Sequence, residues 1–215
     1  NFLGQIYHPA AGFVSGWVST TIGFAAPTAL AAITSATYLN AVFEDIPVVG
    51  AAVALVLLVG MIHLGSRAGS ARFQLLFTGI KVLLILIFIF AAWWHVDQLQ
   101  VLRWVPESAD LALVTSGAFA VALIYVNYAY TGWNAATYLV GEVEGGARHL
   151  PQILLIGSGV VMALYVLLHL MFLSVAPMAA VAGKLEVGYV VAGFAFGDGG
   201  SNLVGLMLAL LLVST

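Results

Sequence analysis

The chain is a series of long apolar runs separated by short polar punctuation. One long uncharged run extends from Leu111 to Gly141. A bilayer's hydrocarbon core needs only about 20 helical residues. In chain order the runs are A (Gly12–Leu39), B (Ile46–Ile62), C (Phe73–Trp94), D (Leu111–Val143), E (Pro151–Val175) and F, which begins near Asn202. They do not alternate apolar with polar, so they predict transmembrane helices rather than a barrel. Pro151 suits the first turn of E, and Trp93 and Trp94 end C where an aromatic belt lies. Residues 1–10 read as a lead-in loop, because Pro9 disfavours helix before it. Residues 63–72 (HLGSRAGSAR) read as a loop, and 176–200 as a long connection holding a short surface helix.

Composition narrows the class. Of 215 residues 63% are hydrophobic and 7% charged, against about 25% charged in soluble domains. A soluble chain this apolar could not cover its surface, so the expectation is an all-α integral membrane protein with about six spans in one domain, 1–215. The formal net charge is -3, and the six basic residues are dispersed, which leaves no nucleic-acid footprint. There is no cysteine, hence no disulfide, thiolate metal site or cysteine nucleophile. No cofactor is implied. The start at Asn1, with no signal peptide before it, and the apolar end LVGLMLALLLVST lead to the expectation of the middle of a longer protein.

Charge suggests an orientation. Alternating spans put residues 1–11, 63–72 and 142–150 on one side, with Arg67, Arg72 and Arg148 close to span ends. The other side, 40–46, 95–110 and 176–200, carries Arg103 and Lys184 with Glu44, Asp45, Asp97, Glu107, Asp110, Glu186 and Asp198. The positive-inside rule counts bases, not acids, and places the first set in the cytoplasm.

Two features inside the spans point to chemistry. Lys81 is the charged residue deep within C, about 13 Å along a helix from Arg72, too far to snorkel comfortably. A charge near mid-bilayer costs about 3 kcal/mol on insertion scales. Such a lysine is a candidate proton or ion carrier, or pairs with helix-end carbonyls. The second feature is the middle of D, Asn127-Tyr128-Ala129-Tyr130-Thr131-Gly132-Trp133-Asn134. Glycine weakens helix by about 1 kcal/mol relative to alanine, and backbone groups freed in a membrane must bind something. The second half-helix would offer its N-terminus to a carboxylate, and Tyr128, Tyr130 and Trp133 would cover an apolar substrate face. The competing reading is a glycine at a tight helix crossing with aromatics in the core. Segment A, with Gly12, Gly16, Ser19, Thr20, Thr21 and Gly23, reads as a packed helix. His8, His63, His95 and His149 lie at span ends or in loops, and His169 reads as a packed or hydrogen-bonded core histidine. Metal spacing such as H-x-x-x-H is absent. Gly157-Ser158-Gly159 reads as a packing feature, not a nucleophile elbow.

Three stretches resemble the amino acid–polyamine–organocation (APC) superfamily of amino-acid permeases. Tyr128–Pro151 (YAYTGWNAATYLVGEVEGGARHLP) looks like its sixth helix and following loop. Leu64–Phe90 (LGSRAGSARFQLLFTGIKVLLILIFIF) is similar to the fourth-to-fifth loop and the lysine-bearing fifth helix. Gly193–Leu212 (GFAFGDGGSNLVGLMLALLL) is similar to the entrance to the eighth. The resemblance implies family helices three to eight of a LeuT-like inverted-repeat bundle, with substrate at mid-membrane. It implies substrate contact at Asn127, Tyr128, Tyr130, Thr131, Gly132, Trp133 and Asn134, and proton coupling rather than sodium coupling at Lys81. It assigns Glu142 and Arg148 to the cytoplasmic loop or gate. The sequence departs from the pattern at Gly145-Gly146, where the family has Asn-Pro ahead of the arginine. The family's first helix, with the other half of the site, lies outside this sequence.

The expected function is secondary amino-acid transport by proton-coupled symport or exchange, with a small-molecule substrate, protons and lipid as partners and no catalytic residue. A channel or structural membrane subunit is the alternative. An intramembrane enzyme would have to be built from Ser158 or Ser174 with His169. The sequence does not specify an oligomeric state.

Overall fold

The computed structural model describes residues 2–64, 67–132 and 146–213. The described residues hold helices and no strand. They fall into two compact units, residues 1–100 with 171–215, and residues 101–170.

The first unit opens with α1 (Phe2–Ile6) where a loop was expected, followed by α2 (Pro9–Val18). Pro9 does bar continuous helix: the chain breaks at His8, whose ring nitrogen caps α2 by accepting from Ala10 N–H at 3.2 Å. α2 runs through a π-helical stretch, Ser19–Ala25, into α3 (Ala26–Val42). Pro27 explains the slip in register. It offers no N–H and its ring crowds the carbonyl four residues back, and Ala26 N–H donates to Thr21 O, five residues back. The hydroxyls of Thr20, Thr21 and Thr28 donate to Gly16, Trp17 and Phe24 carbonyls at 3.0, 2.8 and 3.0 Å. They thereby satisfy themselves where no water is available.

α4 (Val48–His63) packs on α3. The contact is made by Ala32, Ala36 and Ala52, with Val48 and Ala51 beside them. Small side chains let backbones approach, which is how helices associate when lipid is as apolar as leucine. α5 (Arg67–His95) takes in residues expected in the preceding loop.

Further along, α8 (Gly146–Val175) begins before Pro151, which sits inside the helix rather than at its first position. Proline that near the N-terminus removes a single ladder bond. Its final turn belongs to the first unit. There Ser174 Oγ accepts from Trp93 Nε1 at 2.8 Å, and its carbonyl accepts from Gln100 N–H at 2.7 Å. The 176–200 connection holds α9 (Met178–Val181) and the first leg of α10 (Val187–Leu212). That leg is not a surface helix, since Val191 and Ala192 are fully buried. At Gly197 the backbone takes φ 70°, ψ -171°, a conformation nearly restricted to glycine. Residues 187–196 fold back on 198–212: Tyr189 donates to Asn202 Oδ1 at 3.2 Å. A Cβ on Gly205 would stand 2.9 Å from the Tyr189 ring. The straight apolar run therefore starts after Gly197, close to the expected start of F. Both legs are tied to α3, by Gly188 N–H donating to Tyr38 Oη at 3.2 Å and Ser35 Oγ donating to Ala209 O at 2.8 Å. The reversal is braced by Phe196, whose ring lies 6.3 Å from Phe88 and 5.5 Å from His95.

The second unit contains α6 (Ser108–Val114), α7 (Gly117–Ala129) and α8 up to Leu170. Segment D is thus interrupted early. α6 ends at Thr115, and Ser116 restarts the helix by accepting from Phe119 N–H at 3.2 Å.

Candidate functional site

α7 terminates at Ala129 in a tightened last turn. Tyr130 N–H donates to Asn127 O at 3.1 Å and Thr131 N–H to Tyr128 O at 3.0 Å, each three residues back. The Thr131 hydroxyl donates to the same Tyr128 carbonyl at 2.7 Å. Thr131 and Gly132 are not helical, and Gly132 has φ +95°. That value lies in the left-handed region open to glycine and strained for other residues. The chain therefore leaves the helix at the position where glycine was singled out.

Beside this exit lies an open cavity of about 580 Å³, within the 300–1,000 Å³ range of small-molecule pockets. One wall is Ala129, Tyr130, Thr131 and Gly132. The other is a single stripe of α8: Ile153 and Leu154, Gly157 and Ser158, Val161 and Met162. The spacing of four places these pairs on successive turns of one face. A shallower recess on α7 gathers Leu123, Ile124, Asn127, Tyr128 and Thr131. No charged side chain lines either cavity among the described residues.

The predicted residues are thus partly assembled. Tyr130, Thr131 and Gly132 share the larger cavity, and Asn127 and Tyr128 share the recess with Thr131. Trp133, Asn134 and Glu142 lie outside the described residues. Arg148 is exposed near the start of α8. Lys81 is half-buried on α5, in the other unit. His169 is exposed rather than packed, with Nδ1 2.8 Å from Tyr165 O. No group of three or more metal-ligating side chains forms among the described residues. Sequence reasoning missed Gly157 and Ser158. Their Gly-Ser-Gly setting carries no signal that separates a pocket wall from a packing seam.

The chain matches the family model described as amino acid permease over residues 1–215. It belongs to that family. As a member of the APC superfamily it is an integral membrane protein, and its helices form part of a permease bundle. It is similar to b(0,+)-type amino acid transporter 1 of Homo sapiens, 26% identical over 181 residues, covering 81% of this chain and 37% of the relative. It is similar to Asc-type amino acid transporter 1 of Mus musculus, 26% identical over 175 residues, covering 76% and 32%. The b(0,+)-type transporter of Oryctolagus cuniculus is 30% identical over 125 residues, 58% of this chain and 25% of the relative. The chain spans between a quarter and somewhat over a third of the length of these relatives, 37%, 32% and 25%. These relatives are amino acid transporters by name.

Proposed function

We propose that the full-length protein is a secondary active transporter of amino acids in a cell membrane, plasma or inner, working by proton-coupled symport or amino-acid exchange. Substrate binds where D leaves its helix, at Asn127, Tyr128, Tyr130, Thr131 and Gly132, with Trp133 and Asn134 following. The observation that carries this reading is the end of α7 at Ala129 beside the 580 Å³ cavity. Thr131 N–H bonds back to Tyr128 O, whereas the Thr131 and Gly132 carbonyls and the Gly132 N–H lie past the last helical residue. In hydrocarbon such groups need a partner, and an amino acid's ammonium and carboxylate supply the matching charges. The bundle alternates access as a LeuT-like inverted repeat, Lys81 carries the coupled proton, and Glu142 and Arg148 act at the cytoplasmic gate.

The test is uptake of labelled amino acids by the full-length protein in proteoliposomes. Wild type should show saturable, gradient-driven uptake, and Gly132→Leu should lose substrate binding, because leucine is strained at φ +95°. Normal affinity in Gly132→Leu would overturn the site, and flux that never saturates would favour a channel.

A further inference from the structure

We infer that His8 is a pH-operated cap at the mouth of the first span. Neutral, it holds the break between α1 and α2; protonated, it releases α1 and the first turn of α2. The device is independent of what the protein carries.

The break is bonded through this one residue. His8 N–H donates to Leu3 O at 3.4 Å and closes α1, beside Tyr7 N–H on the same carbonyl at 3.0 Å. The His8 carbonyl accepts from Ala11 N–H at 2.9 Å and Gly12 N–H at 3.3 Å and opens α2. Pro9 has no N–H, and Ala10 N–H is met by His8 Nδ1 at 3.2 Å. A helix start leaves four N–H groups without a regular partner, and here the imidazole takes the one left over. An accepting Nδ1 carries no proton, so the capping ring is neutral with its proton on Nε2. A second proton has only Nδ1 to go to. It removes the acceptor and puts a positive charge at a helix N-terminus, where the macrodipole disfavours it. Both effects have one sign: the cap is present when the ring is neutral and lost as pH falls through the imidazole range, roughly pH 5 to 8. His8 is exposed beside the first residue of the Pro9–Val42 span, so solvent protons reach it. The elements packed on α2 are α1 and the π-helical stretch. They bring no competing charge, because no Asp, Glu, Lys or Arg precedes Glu44. Their other titratable neighbour is Tyr7, and phenols do not ionise in that range.

The experiment is amide exchange of the full-length protein in lipid nanodiscs at about pH 8 and about pH 5, either end of the imidazole range. Protection is taken relative to intrinsic exchange at each pH. From the higher pH to the lower, wild type should lose protection at Ala10, Ala11 and Gly12 by about three- to tenfold, the worth of one N-cap. The middle of α3 should hold its protection. His8→Asn, whose amide caps a helix without titrating, should stay protected at both pH values, and His8→Ala should be low at both. His8 is exposed, so neither variant removes packing. Equal wild-type protection at the two pH values overturns the inference. So does a fall in His8→Asn as large as in wild type, or wild-type protection in His8→Ala at the higher pH.

Discussion

At the scale of single residues, two of the three described glycines at positive φ shape helix ends, in backbone that other residues adopt only under strain. Gly132 ends a helix at φ +95°, and Gly197 reverses one at φ 70°, ψ -171°. For Gly197 the consequence is stability. Gly197→Ala should cost about 1–3 kcal/mol and lower the thermal unfolding midpoint of the purified protein. Gly199→Ala is the control, since a Cβ there meets nothing within 4 Å and its φ is not in the strained range. Equal midpoints for the two variants would mean the reversal at Gly197 is wrong. Gly132 stood out in the sequence amid aromatics, whereas Gly197 lay unmarked in the 176–200 connection. Only coordinates show that one opens a cavity and the other folds a helix back on itself.

At the scale of elements, short helices depend on their ends. α6 has seven residues and little cooperative helix of its own. Asp110 holds its start by accepting from Glu107 N–H at 2.8 Å and from Arg103, 2.7 Å away. These contacts keep the Asp110 carboxyl below its ordinary value, the Glu107 N–H foremost and then the Arg103 guanidinium. The sign follows from linkage: a depressed carboxylate stabilises the fold above its unfolded value and loses that contribution as pH falls through the folded one. The protection of α6 amides, relative to their intrinsic exchange at the same pH, should therefore be high at neutral pH and fall below the ordinary value of 3.8. Asp110→Asn should show low protection at both. An α6 whose protection ignores both changes would show that the cap does not hold it. The group is solvent-exposed, so the effect should stay within α6. The π-helical stretch is the opposite case of an element illegible in sequence. Pro27 stands within segment A, but whether a proline kinks, breaks or shifts the register depends on what its neighbours can bond to.

At the scale of the whole molecule, Lys81 is the test of coupling. It is half-buried on a long apolar helix, and uptake by full-length Lys81→Ala should lose the pH dependence of wild type while substrate still binds. An unchanged pH profile would remove Lys81 from the mechanism.

The apolar runs by themselves determined an all-helical membrane chain and, to within a turn or two, most of its spans, because bilayer thickness fixes the length of helix needed. They missed α1, the early break at Thr115–Ser116 and the early starts of α5 and α8. Those boundaries depend on caps and local bonds worth about 1 kcal/mol, too small to read against a strong hydropathy signal. Residue identity also marked Thr131 and Gly132. What only tertiary structure decided was company: that α8 brings Gly157 and Ser158 to the far side of that helix end, and that residues 187–196 turn back to bury Val191 and Ala192. Contacts between residues far apart in sequence follow from which helix faces meet, and in a chain apolar on nearly every face, hydropathy does not choose among them.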